Sequence, residues 1–221
     1  MTLAVPNTRS IYDSLAGTYV WVACIVFGIV LVTVVAFLVR YRAGRHRKPG
    51  ETVDAPRVET LYLVVLAVVT AGLIGLTFHS LDRVDRLTPA AAQDPAAVRI
   101  DVIGAQWQWR FRYAGSPVVE QTAPEGTPPE LIVPVGRRVL FSGRSQDVLH
   151  DFWIPDLKFQ RQVWPDHTES WALTFPHPGR YPGLCAWFCG LYHQNMHFVA
   201  VAVPAAQFDA WLARRRQGAA G

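Results

Sequence analysis

The chain has 221 residues, a formal net charge of +4 and 51% hydrophobic residues, and its apolar residues crowd toward the N-terminus instead of spreading as one globular core would spread them. Three cysteines are too few for a disulfide framework. No interleaved basic and aromatic stretch marks a nucleic-acid surface, so nucleic acid is not an expected partner. From Ser14 to Val39 no side chain is charged, and the run WVACIVFGIVLVTVVAFLV reaches the roughly 20 helical residues that cross about 30 Å of hydrocarbon. A second run, Leu61 to Leu81, holds only His79 as an ionisable group. The two are expected to be membrane helices, at about 14–40 and 60–81, forming a hairpin within residues 1–90.

A cleaved signal peptide fits the first run poorly. The run exceeds the usual apolar stretch of such a peptide, and the RYRAGRHRKPG that follows is basic and bulky where small residues precede cleavage. The connecting loop carries Arg40, Arg42, Arg45, Arg47, Lys48 and Arg57, against Arg9 in the N-terminal tail. Basic loops stay cytoplasmic, so both chain ends are expected to face outward. The reading is a multi-pass integral protein, of a bacterial inner or plasma membrane, with its soluble part on the periplasmic side.

LDRVDRLTPAAAQDPAA reads as a linker, because Pro and Ala replace the apolar period. VRIDVIGAQWQWRFRY, residues 98–113, then alternates and is rich in β-branched and aromatic residues, as one long strand or two joined at Gly104. Further strands are expected at ELIVP, RRVLFSG, VLHDFWI, ESWALTF and HFVAVAV, with no helical pattern between them. Short strands separated by turn residues argue an antiparallel sandwich over residues 95–205. Residues 206–221 read as a short amphipathic helix and tail.

The stretch LCAWFCGLYHQNMHF gathers Cys185, Cys189, His193 and Met196, and VLHDFWIP adds His150 upstream. A Cys185–Cys189 disulfide is the plain alternative. Zinc suits the set poorly, since structural zinc sites use paired knuckles and rarely a thioether. Thiolate, thioether and imidazole together point to copper. A mononuclear blue site needs one cysteine, whereas two thiolates can each bridge two ions; two Cys, two His, a Met and one carbonyl, which Trp187 can give, complete a dicopper centre. His197 adjoins Met196 and points to the other face of a strand, so it is not expected to be a ligand.

These residues resemble the subunit 2 family of heme-copper cytochrome c oxidases. The family has two N-terminal membrane helices and a cupredoxin-like Greek-key β-sandwich with a binuclear CuA centre in a CxExCGxxHxxM loop, fed by an upstream His. CAWFCGLYHQNM matches that loop, and GAQWQWRFRY is similar to the family's GHQWYWSYEY strand, with Gln106, Trp107, Trp109, Phe111 and Tyr113 in step. The resemblance implies that Cys185 and Cys189 bridge both coppers, that His150 and Met196 complete one, and that His193 and the Trp187 carbonyl complete the other. It implies that Trp107 is where electrons enter.

Three positions depart from the family. Trp187 replaces a Glu whose side chain binds magnesium at the subunit 1 interface; magnesium prefers oxygen ligands and would need another ligand or be absent from that position. Arg112 and Gln162 stand where the family carries carboxylates that help dock a basic cytochrome c. Steering depends on opposite surface potentials, so the expected donor, a cytochrome c or another small redox protein, is acidic or docks through apolar contacts.

The expected function is that of subunit 2 of a heme-copper terminal oxidase. It takes electrons from a periplasmic donor at the CuA centre and passes them to subunit 1, which, with other subunits of the complex, reduces oxygen to water. CxxCH is absent, so no covalent haem is expected. A CuA-bearing subunit of a nitric oxide reductase would use the same relay. A quinol oxidase subunit 2 keeps the fold without copper, against which the retained ligand residues argue. A membrane-anchored copper-binding or assembly protein would carry exposed Met or His runs, which are missing.

Overall fold

Two long apolar helices precede a β-sandwich in the computed structural model, which describes residues 7–42, 55–115, 119–121 and 127–219. Helix α1 spans Thr8–Arg40 and α2 spans Pro56–Asp85. Asn7 caps α1 by accepting the Ser10 N–H at 2.8 Å, and Pro56 opens α2, where a missing N–H costs nothing. Both helices begin earlier than positions 14 and 60, because polar first turns continue the backbone hydrogen bonding where the apolar run has not yet started. Each is long and apolar enough to cross a membrane, with no part of its apolar window buried. The Tyr19 hydroxyl of α1 donates to the Leu73 carbonyl of α2 at 3.0 Å and lies 2.6 Å from the Thr77 hydroxyl. That ties the two helices within one unit, Asp13–Leu81.

The other unit comprises Met1–Tyr12 and Asp82–Gly221. Part of the stretch read as a linker forms a short helix, α3, Leu87–Gln93. Ten strands follow among the described residues: β1 Val98–Ala105, β2 Gln108–Tyr113, β3 Val119–Gln121, β4 Glu130–Pro134, β5 Arg138–Ser145, β6 His150–Ile154, β7 Phe159–Val163, β8 Glu169–Thr174, β9 Gly179–Cys185 and β10 His197–Val203. They form two five-stranded sheets, ordered β3-β2-β1-β5-β8 and β4-β10-β9-β6-β7. Helix α4, Ala205–Ala219, follows. The break in the first long run falls at Gln106–Trp107 and not at Gly104.

The sandwich is mixed where an antiparallel one was expected. β1 pairs with β5 in parallel, and β4 with β10 in parallel. The chain visits the opposite sheet between β1 and β5, so both run the same way; residue alternation reports which face is buried and not the direction of the neighbour.

Alternation fills the space between the sheets. Trp109, Phe111 and Tyr113 of β2 are fully buried, as are Phe141 and Phe152. Phe152 stacks on Phe198 with ring centroids 4.5 Å apart and lies 5.4 Å from Trp171. Each such side chain contributes about 1.5–3 kcal/mol through burial. Tyr113 joins the sheets: its hydroxyl donates to the Ile132 carbonyl and accepts the Ile132 N–H, both at 2.8 Å. Thr8 donates to the Leu157 carbonyl at 2.8 Å, which pins the first residue of α1 to the turn after β6.

Candidate metal centre

The two strands that frame the ligand loop are hydrogen-bonded neighbours, so its ends are fixed before any metal is considered. β9 and β10 pair with His197 opposite Leu184, and the Cys185 N–H donates to the Met196 carbonyl at 3.0 Å. Between them the chain makes a 3-10 turn at His193–Asn195, closed by the Asn195 N–H to the Tyr192 carbonyl at 2.9 Å and the Met196 N–H to the His193 carbonyl at 3.2 Å. β6 lies against β9 with Phe152 opposite Cys185, which brings His150 in from a distant part of the chain.

All six expected donors converge on the two thiols. The Cys185 and Cys189 sulfurs are 3.9 Å apart, too far for a disulfide bond of about 2.05 Å, and both cysteines are free. Around Cys185 Sγ stand His150 Nδ1 at 3.9 Å and the Trp187 carbonyl at 3.2 Å. Around Cys189 Sγ stand His193 Nδ1 at 3.5 Å and Met196 Sδ at 3.9 Å. The ligand atoms of His150, Cys185 and Cys189 lie within 4.8 Å of one another and all three residues are buried. Trp187 turns its carbonyl to the sulfur while its indole is half exposed. His197 is exposed on β10 and makes no part of the cluster.

The chemistry of this donor set fits copper. Two buried thiols face each other with neutral nitrogen, sulfur and oxygen donors around them. Burial and then the neighbouring Cys185 push the Cys189 thiol up to about 12. A bound soft cation would supply the missing opposite charge and favour the thiolate form of both groups. A thioether disfavours zinc, and a single copper would leave one thiol unused. The Asp151 N–H donates to Cys185 Sγ at 3.4 Å, a further stabilisation of negative sulfur.

Asp147 and Gln106 complete the site, and neither is a metal donor. Asp147 Oδ1 lies 2.8 Å from His150 Nε2, so the ring's Nδ1 is turned to the sulfur. Asp147 also accepts the Gln106 N–H and the Val148 N–H, both at 2.7 Å. Burial opposes ionisation of Asp147, but these bonds outweigh it and hold its carboxyl below the usual range. Gln106 Nε2 donates to the Cys189 carbonyl at 2.7 Å, and Trp107 Nε1 donates to the same oxygen at 3.3 Å. The expected electron acceptor thus touches a thiol-bearing residue directly. The signal for Asp147 is its place three residues before His150 in DVLH.

Two glycines make room. A Cβ on Gly104 would meet His150 Cδ2 at 2.9 Å. Gly190 has φ of +117°, and a Cβ there would lie 3.0 Å from Gln106 Nε2.

A family model described as cytochrome C oxidase subunit II, periplasmic domain, matches residues 126–203. Over those residues the chain is similar to the cytochrome c oxidase subunit II family, and relatives carrying that name match it more widely. The subunit 2 of Alkalihalophilus pseudofirmus is 30% identical over 221 residues, 94% of this chain and 59% of the relative. That of Synechocystis is 33% identical over 114 residues, covering 52% of this chain and 32% of its own. A probable quinol oxidase subunit 2 of Staphylococcus saprophyticus is 26% identical, covering 85% of this chain and 48% of its own. This chain therefore spans less than two thirds of the length of each of these three relatives. Among solved structures, the periplasmic domain of subunit II of cytochrome oxidase of Bradyrhizobium japonicum superposes with a TM-score of 0.50 at 21% identity, covering 57% of this chain and 97% of that one. The sandwich of this chain thus has the cupredoxin-like fold of that domain.

Proposed function

We propose that the chain is the electron-accepting subunit of a heme-copper terminal oxidase, anchored by α1 and α2 with the sandwich on the outer side of the membrane. The observation that carries this reading is the ring of four donors about two thiol sulfurs 3.9 Å apart. Cys185 and Cys189, with His150, Met196, His193 and the Trp187 carbonyl around them, would hold a pair of copper ions. When bound, the copper pair supplies one-electron storage with little ligand movement.

The chain's own residues do the rest. Trp107 receives the electron and its Nε1–H bond to the Cys189 carbonyl leads it to the cluster. Asp147 orients His150 and, through the Gln106 N–H, ties that histidine to the turn bearing Trp107. The aromatic and aliphatic core beneath the loop keeps water from Cys185 and Met196, each 1% exposed. Electrons then pass to a haem-bearing membrane subunit where oxygen is reduced. Trp187 offers no carboxylate, so magnesium is not expected to bind through this position.

Among the relatives, a quinol oxidase subunit would accept electrons without copper; the assembled donors favour the copper reading. A nitric oxide reductase would share the relay, and its partner's haem pocket would select the gas. The test is to purify the chain with its copurifying membrane subunits, measure copper per chain, and follow oxygen and nitric oxide consumption with a reduced donor. Two coppers per chain and oxygen consumption that Cys185→Ser abolishes are expected. Copper-free complex oxidising quinol, or turnover of nitric oxide alone, would overturn the reading.

A further inference from the structure

The end of the sandwich away from the thiols holds a cavity of about 350 Å³ lined by three arginines, Arg99, Arg137 and Arg216, and a single acid, Asp209. Val98 and Arg99 open β1, whereas Gln106, which bonds the ligand loop, follows its last residue, Ala105. A strand of eight residues puts roughly 25 Å between the two ends.

Each guanidinium is anchored at one end. An Arg99 terminal nitrogen donates to the Ala92 carbonyl at 2.9 Å, and one of Arg216 donates to the Ala114 carbonyl at 2.6 Å. One of Arg137 donates to both Asp209 oxygens, at 3.0 and 3.2 Å. A Cβ on Gly115 would run into the Arg216 guanidinium, so the backbone packs closely on this arginine. A guanidinium carries five N–H donors in a fixed plane, and most of them remain after these bonds. Two, the Nε–H groups of Arg137 and Arg216, are buried with no partner among the described residues. Buried polar groups are rarely left so, and an acceptor inside the cavity is the partner they lack. Three arginines against one aspartate leave an excess of two positive charges. Asp94, just before the wall at Pro95, does not offset it, because it is already paired with Arg138 at 3.1 Å.

The forks of arginine match carboxylates and phosphates alike. A carboxylate has two oxygens, and Asp209 already occupies Arg137 in that way. Three forks brought from β1, from the turn before β5 and from α4 suit a tetrahedral group with three free oxygens. Val98 and Leu212 give the same cavity an apolar side. We infer that the cavity binds a phosphate ester, its phosphoryl oxygens received by Arg99, Arg137 and Arg216 and its organic part laid against Val98 and Leu212. Lipid headgroups and small soluble esters share this chemistry. The site goes beyond the electron relay and uses none of the relay's residues.

The test is calorimetric titration of the full chain in a maltoside detergent with inorganic phosphate, glycerol 3-phosphate, dihexanoyl phosphatidic acid and acetate. Saturable binding of glycerol 3-phosphate is expected, with acetate at least about tenfold weaker. Arg99→Gln and Arg216→Gln should each weaken it about tenfold, as the loss of a charge-assisted hydrogen bond does. Arg214→Gln removes an exposed charge from the same helix as Arg216 and should stay within about twofold of the parent. The exposed Arg99 carries the test if Arg216→Gln, which loses its bond to Ala114, disturbs folding. With the variants weakened, tighter binding of the dihexanoyl lipid than of glycerol 3-phosphate identifies a lipid headgroup, and the reverse order a soluble ester; either supports the site. The inference is overturned if no phosphate probe saturates, if acetate binds as tightly, or if both variants bind as the parent does. Arg99→Gln should keep the parent's copper content, so failure of this site and failure of the copper reading are told apart.

Discussion

Asp147 shows how much of the site depends on residues that never touch metal. Its carboxylate holds His150 Nε2 at 2.8 Å and the Gln106 N–H at 2.7 Å. Partners of this kind orient ligand histidines, and their loss costs about 10–100-fold in metal affinity. Asp147→Ala should therefore lower copper affinity by about that factor in chelator competition, with the circular dichroism of the sandwich retained. His197→Ala should leave copper content unchanged, because His197 is exposed on the other face of β10. Gly190→Ala forces a side chain into φ of +117° against Gln106; left-handed strain costs about 1–3 kcal/mol, which thermal unfolding should register as a lower Tm. The side chains that converge on the two thiols stood out in the sequence because thiol, thioether and imidazole at short spacing have few other common uses. Asp147 was harder to read: it stands three residues before His150, but nothing in DVLH shows that its carboxylate meets both that ring and the Gln106 N–H, 41 residues away.

Elements were legible where one face alone is buried. β2 alternates so that Trp109, Phe111 and Tyr113 point inward, and its pattern marks a strand without further help. β9 was hidden because Gly179, Pro182 and Gly183 read as turn residues; it is nonetheless paired on both sides, by β10 and β6. Gly183 is required there, since a Cβ would run into the Phe198 ring. α3 was hidden in a Pro- and Ala-rich stretch that lacks an apolar stripe. The bridge from Tyr113 to Ile132 should matter to the whole sandwich: Tyr113→Phe leaves a buried N–H and C=O without that partner and should cost about 2 kcal/mol in chemical denaturation. A pH effect is expected at the end of α3. The Ala96 N–H, and then Arg138, hold the Asp94 carboxyl below its ordinary value. The depressed folded value means that its contribution is present above the ordinary carboxylate range and is lost as pH falls through the folded value. Asp94→Asn should lower Tm slightly at neutral pH, and the gap to the parent should close in acid.

At the scale of the whole chain, the basic loop between the helices and the Thr8 bond to Leu157 both suit an outward-facing N-terminus joined to an outer sandwich. Direction of strands and the mixed sheets could not be read locally, because they follow from which sheet the chain visits next. The likeness to the subunit II family rests on the match to residues 126–203 and on the relatives; the proposed use of copper rests on the convergence of Cys185, Cys189, His150, His193, Met196 and the Trp187 carbonyl. The most direct measurement of that use is electron paramagnetic resonance of the copper-loaded full-length chain in detergent. The expected result is a purple mixed-valence protein whose hyperfine structure is shared by two equivalent copper nuclei, lost in Cys185→Ser and in Cys189→Ser and kept in His197→Ala. A hyperfine pattern from a single copper nucleus, or a copper-free chain with Cys185 and Cys189 joined as a disulfide, would contradict it.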